Sequence, residues 1–287
     1  MNTTKISLYL SLIIFLACAC NNNTSNNTQA PTETKIISIG GAITETLFAL
    51  DLGANIQAVD VTSTYPNGVN NIPKLGHLSN ISLEGLLNFN PDHVVSINDP
   101  AGTGLFQQLK NSDLELELLE SPTSIEGTKS IITSIGKVFH KEAEATQLLN
   151  NLDNDLKLLD DYLKDKEEKP KVLFLYARGS DMLMVGGKAT TADHMIQLAG
   201  GTNAANSFND FKPLSPEAAI EANPDVILVF DTGLNSLNGV EGVLALPGIA
   251  ETNAAKNRKV VAMDGHYLLG FGPRVGQAAL ELAKSIR

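Results

Sequence analysis

ISLEGLLNFNPDHVVSI, residues 81–97, reads as a short helix that opens after Ser82, stops at Asn90-Pro91 and passes directly into a β-rich apolar run. A serine ahead of an acidic first turn starts helices, and a proline after asparagine marks a turn. The same order returns without a gap as LSPEAAIEANPDVILVF, residues 214–230, at a shift of 217 − 84 = 133 positions. Asn-Pro-Asp alone is a common helix-to-strand turn. The Ser-x-Glu that both copies also share makes them a repeat, and a repeated helix-to-strand unit points to duplicated halves.

The segments on either side extend the pattern. KIISIG (35–40), IQAVDV (56–61), HVVSIN (93–98) and LELELL (114–119) are short strand-like runs separated by helical stretches such as AITETLFALDLG (42–53). A second series follows, with strands KVLFLYA (171–177), DVILVF (225–230) and KVVAMD (259–264) and helices TADHMIQLAG (191–200), SPEAAIEA (215–222) and RVGQAALELAKSIR (274–287). This alternation predicts an α/β fold of two lobes with mainly parallel central sheets. Between them Leu148, Leu152, Leu156, Leu159 and Leu163 recur at helical spacing in an otherwise charged stretch, predicting one long helix over 142–168 that ties the lobes together as a stiff strut. At ~1.5 Å per residue it would span about 40 Å. A single helix packed on both lobes restricts their motion to small rotations. The expected boundaries are 35–140 for the first lobe, 141–169 for the linking segment and 170–287 for the second lobe.

The first 34 residues stand apart. MNTTKISLYLSLIIFLACAC (1–20) has an early lysine, an apolar run from Ile6 to Ala17 too short for a comfortable membrane span, and small residues beside two cysteines. It reads as an export signal. Both cysteines of the chain, Cys18 and Cys20, lie inside it, so the body can form no internal disulfide. Apolar and small residues ending at a cysteine resemble the bacterial lipoprotein signal, which implies cleavage before an acylated cysteine and a lipid anchor in a bacterial membrane. Cys20 fits best, with Cys18 as the alternative. The Asn/Thr-rich stretch at 21–34 has no periodicity and reads as a tether. The chain is acidic, 21 basic against 32 acidic residues and a formal charge of −11, which argues against nucleic acid and anionic membrane surfaces as partners.

Ligands of open α/β sheets bind outside the carboxyl ends of the strands. That rule selects GGAITE (40–45), TSTYP (62–66) and NDPAGTG (98–104) from the first lobe, and RGSDMLM (178–184), DTGLNS (231–236) and DGHYLLGFGPR (264–274) from the second. It makes Tyr65, Arg178, Met182, Met184, His266, Tyr267 and Arg274 candidates for a cleft.

GGAITE, TSTYP, VGGKATTADHMIQLAGGTNAA (185–205), FKPLS (211–215) and DGHYLLGFGPR together resemble the substrate-binding proteins of bacterial ABC importers that have two α/β lobes joined by one helix, a class serving haem, cobalamin and ferric siderophores. They look most like its haem-binding branch, over residues 35–287. The resemblance implies a class III periplasmic-binding-protein fold and transport rather than catalysis. Haem b is then the transported ligand in the interlobe cleft, with no catalytic cofactor, and a permease dimer with its ATPase is the partner of a monomeric, exported, lipid-anchored protein. It makes Tyr65 the axial ligand to haem iron, where a hard phenolate oxygen suits ferric iron. Arg178, Arg274 and Lys212 are candidates for the propionates, Met182 and Met184 for the porphyrin face, and His266 for a second axial ligand or a propionate contact, with Tyr267 beside it. Glu84 and Glu217, equivalent in the repeat, match the family's glutamates that dock to arginines of the two permease subunits; each also begins a helix, where an acidic residue complements the dipole.

Other classes find less support. His77, His93, His140 and His194 form no spaced metal set. For an exported enzyme there is no Gly-x-Ser-x-Gly elbow and no phosphate loop ending in Gly-Lys-Ser/Thr.

Overall fold

The computed structural model describes residues 34–287. The export signal, both cysteines and the tether lie outside the described residues, apart from Thr34, whose carbonyl accepts from Asn55 Nδ2.

The first lobe runs β1 (Ile36–Ile39), α1 (Gly41–Ala49), β2 (Ile56–Val59), α2 (Leu83–Leu87), β3 (His93–Ile97), α3 (Thr103–Leu109), β4 (Glu115–Leu119) and α4 (Ile125–Val138). Helix α5 (Glu142–Leu163) follows. The second lobe runs β5 (Lys171–Ala177), β6 (Leu183–Gly186), α6 (Thr191–Leu198), β7 (Thr202–Asn203), β8 (Phe211–Pro213), α7 (Pro216–Ala222) and β9 (Val226–Phe230). It ends with α8 (Asp231–Ser236), α9 (Gly239–Leu244), α10 (Asn253–Lys256), β10 (Val260–Met263), α11 (Gly265–Leu269) and α12 (Val275–Ser285).

The first sheet has the order β2-β1-β3-β4 and is parallel throughout. The second, β10-β9-β5-β6-β8 with β7 also on β5, is parallel except where β6 pairs antiparallel with both β5 and β8. The two halves are therefore not copies of one architecture. They share a parallel frame, and the second adds an antiparallel extension.

Helix α5 stops at Leu163, short of the expected 168. Residues 164–169 are Lys-Asp-Lys-Glu-Glu-Lys and then comes Pro170, so beyond Leu163 there is no apolar side chain to bury and a proline to end the run. At ~1.5 Å per residue the helix spans about 33 Å. Its leucine stripe faces inward: Leu152 and Leu159 are fully buried, and Leu148, Leu156 and Leu163 pack partly buried on the same core. Helix α5 packs against α4 on one side and α12 on the other. The result is one continuous apolar core that takes in Ile36, Ile43 and Val95 of the first lobe, the α5 leucines, and Val172, Phe174 and Leu282 of the second. Two smaller cores lie on the outer faces of the sheets, around Ile37 and Val94 in the first lobe and Leu175 and Ile227 in the second.

Candidate functional site: the interlobe cleft

In the order β2-β1-β3-β4 the connections leave in opposite directions between β1 and β3, and a crevice opens there beyond the strand ends. Gly40 and Gly41 follow β1, Ile97 ends β3, and all three line a cleft of about 450 Å³. Thr62 and Thr64 complete that wall, while Phe230 at the end of β9, Asp264 after β10, and His266 and Leu269 of α11 form the opposite one. Glycines, threonines and the apolar Ile97, Phe230 and Leu269 make up most of the lining, with Asp264 and His266 as its titratable groups. NDPAGTG contributes none of its residues 98–104 to this lining. DTGLNS, read as a loop, is helix α8 and lends only Thr232.

The loop that carries Tyr65 is held from below by Asp60, which is buried. Its carboxylate accepts from Gly40 N (3.0 Å), Thr62 N (3.2 Å) and Ser63 Oγ (2.7 Å), and also from the Thr62 hydroxyl. The Ser63 and Thr44 hydroxyls are paired at 2.7 Å, and those of Thr44 and Ser38 at 2.6 Å. A buried carboxylate is costly unless hydrogen-bonded, and here donors from the loop and from Gly40 supply the bonds. The loop and the β1–α1 turn are thus fastened to one point. The Tyr65–Pro66 peptide is cis.

One carboxylate that sequence reasoning missed organises the rest. Glu45 of α1, 5% exposed at its side chain, accepts from Arg274 Nε and Nη2 at 2.9 Å each, from Arg274 N at 3.2 Å, and from His266 Nε2 at 2.9 Å. Burial alone would raise its pKa; the hydrogen bonds from His266 and Arg274, with the charge beside them, outweigh it and hold the carboxyl below its usual range. For Arg274 burial works against the charge, and pairing with Glu45 more than restores it. The pair joins a first-lobe helix to the chain segment after α11. A Cβ on Gly272 would lie 3.1 Å from the Glu45 carboxylate, which would have to shift by a few tenths of an ångström to admit it.

Arg274 also lies against two aromatic rings. Its guanidinium carbon lies 3.4 Å from the centre of the Tyr65 ring and 4.8 Å from that of Tyr267. The two tyrosines differ. Burial and the Glu281 carboxylate push Tyr267 up to about 12, so it stays a phenol. Tyr65 is 38% exposed. Thr64 faces the cleft, whereas Tyr65, one residue on, lines an adjoining hollow of about 330 Å³ with Glu45, Leu148 and Arg274. His266 lines the cleft, yet its ring is committed: Nε2 is bonded to Glu45 and the other edge lies 2.5 Å from where a Cβ on Gly41 or Gly270 would stand.

The structure thus gathers Tyr65, His266 and Tyr267 around the Glu45–Arg274 pair. It does not bring Arg178, Met184 or Lys212 to that cluster. Arg178 is exposed and rests on Tyr176 at 5.6 Å, whose ring packs edge-on to the cleft residue Phe230. Met184 pairs with Tyr176 and shares its face of the sheet, while Met182 is exposed in the turn before it. Lys212 pairs with Val185, on the opposite face from Met184, and its ammonium sits 4.7 Å above Phe208. It faces the outer core. Glu84 and Glu217 are both exposed, in the first turns of α2 and α7.

The profile of the periplasmic binding protein family matches residues 36–267. The chain belongs to this family. Among solved structures, this binding protein is similar to the apo form of RhuT, a periplasmic heme-binding protein from Roseiflexus sp. RS-1, with 36% identity, 88% of this chain and 97% of that one covered, and a TM-score of 0.84. It is also similar to HutB, a periplasmic heme-binding protein of Vibrio cholerae, with 34% identity, 88% and 98% covered, and a TM-score of 0.79. A curated relative of the binding protein is YvrC, an uncharacterized ABC transporter substrate-binding lipoprotein of Bacillus subtilis (strain 168), with 28% identity over 255 residues, 88% of this chain and 79% of that one. Among its described residues no helix is long and apolar enough to cross a membrane.

Proposed function

We propose that this binding protein captures ferric haem in the interlobe cleft and hands it to the permease of an ABC importer. The likeness to two heme-binding proteins at more than 30% identity supports the cargo. The observation that carries the site is Tyr65: an exposed phenol, one residue on from the cleft-lining Thr64, with a guanidinium 3.4 Å from its ring. A phenolate oxygen is a hard ligand for ferric iron. Tyr65 reaches the cleft by rotation of its side chain out of the adjoining hollow. Glu45 meanwhile holds Arg274 in place. Arg178 and Met184, on the β5–β6 hairpin, bound the second-lobe side of the porphyrin. Glu84 and Glu217 meet cations on the two permease subunits, and Cys20 carries the lipid that keeps the protein at the membrane. In this reading it is a monomeric carrier, not an enzyme.

Titration of the purified protein with ferric haem, with cobalamin in parallel, tests the cargo: a saturating Soret shift is expected for haem and no saturable change for cobalamin. Tyr65→Phe should keep the fold and lose the parent's high-spin ferric spectrum. If the folded variant kept that spectrum and its charge-transfer bands, the ligand would be another residue.

A further inference from the structure

Six large apolar side chains are exposed among the described residues, and two of them occupy equivalent places in the repeat. Leu87 is 44% exposed and Ile220 is 48% exposed, and 220 − 87 = 133, the same shift that relates Glu84 to Glu217. Each lies three positions after its glutamate in the same short helix, α2 or α7, and so shares a face with it. Neither lines the cleft. The rest of each helix is accounted for: Leu86 and Ala219, the preceding residues, are buried, and Ser82 and Ser215 cap the starts. Burial explains the inward positions, and nothing in the fold explains a large apolar residue at the outward one, twice.

We propose that Glu84 with Leu87, and Glu217 with Ile220, form two matched docking patches, each a carboxylate beside an apolar knob, for the paired subunits of the permease. The inference rests on the docking reading above and adds to it the apolar half of the contact. A partner that presents one surface twice is what a duplicated patch fits. The carboxylates call for a cation on each subunit, and the apolar side chains call for a desolvated pocket beside it. The two halves divide the labour: exposed charge sets the rate of encounter and fades with salt, while a buried apolar anchor slows dissociation and does not.

The test uses the full lipid-carrying chain and the host's permease with its ATPase in proteoliposomes, reading the concentration of haem-loaded protein that half-saturates stimulation of ATP hydrolysis. Leu87→Ser with Ile220→Ser should raise that concentration about tenfold at both low and high salt. Glu84→Gln with Glu217→Gln should raise it at low salt and flatten its salt dependence. Haem titration and thermal melting should match the parent in both, and Leu87→Ala with Ile220→Ala, kinder to a helix, is the second variant should serine disturb the fold. If the serine and alanine pairs both dock like the parent while the glutamine pair fails, the apolar half is wrong and the charge reading stands. A loss in the apolar pairs with an unchanged glutamine pair would sink the charge reading and keep the apolar contact. No change in any variant would overturn both.

Discussion

The two lobes are alike where they are frame and unlike where they meet ligand. In the first, Ser82 Oγ accepts from Gly85 N at 3.1 Å, Asn90 turns the chain with φ 45°, and Asp92 Oδ2 accepts from Lys35 N at 2.8 Å. In the second, Ser215 Oγ accepts from Ala218 N at 3.3 Å, Asn223 has φ 41°, and Asp225 Oδ2 accepts from Lys171 N at 3.0 Å. Asparagine is among the few residues that tolerate this left-handed region. Each aspartate therefore ties the repeat to the strand that opens its own lobe, and the motif is a joint rather than a turn alone. Beyond the strand ends the correspondence stops. The first lobe offers the Asp60-fastened loop with Tyr65; the second offers an antiparallel hairpin and the segment that delivers His266 and Arg274. A duplicated frame can hold an unsymmetrical site because the loops are free to diverge while the joints are not.

Removing the unsymmetrical tie should have the largest effect. Glu45→Ala leaves the partly buried Arg274 guanidinium without its carboxylate, and urea unfolding should show a loss of about 2–3 kcal/mol. A loss below about 1 kcal/mol would mean that Glu45 is an ornament of α1 and not a tie. The same carboxylate sets an acid limit. Its folded pKa lies below the unfolded value, so its contribution is complete above the ordinary carboxylate range and fades as pH falls through the depressed folded value. Parent stability should therefore drop on acidification below about pH 4, and the Glu45→Gln protein should show a shallower drop.

The joints come next. Asp92→Ala should cost about 1 kcal/mol, as for a typical exposed hydrogen bond. Asp225→Ala should cost more, because Asp225 also accepts from Asn253 Nδ2 at 3.1 Å. Chemical denaturation of both variants checks the order, and a costlier Asp92 would break the comparison. Smallest of all, Lys212→Ala should leave haem affinity unchanged and stability within about 0.5 kcal/mol, since the ammonium lies on the outer face.

Much of this was legible in the sequence, for identifiable reasons. The strands β3 and β9 and their joints carry a helix stop and a strand start within a few residues, and Tyr65, His266 and Arg274 sit in loops that the strand-end rule selects. Glu45 was not singled out, although a lone carboxylate in the otherwise uncharged helix GAITETLFA was the available signal. The antiparallel pair β6 and β8 has strands of four and three residues, too short for alternation to show. DTGLNS has the composition of a turn, yet it forms the six-residue helix α8. Met184 and Lys212 are both candidates for the haem pocket from sequence, and only the register with β5 and β8 sorts them to opposite faces.

The core that runs unbroken from Ile36 through Leu152 to Leu282 has a thermodynamic consequence for the whole molecule. Two lobes with separate interiors would melt as two events, the weaker first. With a shared interior, neither lobe can expose its half without uncovering the other's. A calorimeter should therefore record one transition whose van't Hoff enthalpy equals the calorimetric one, in a protein long enough to be expected to show two.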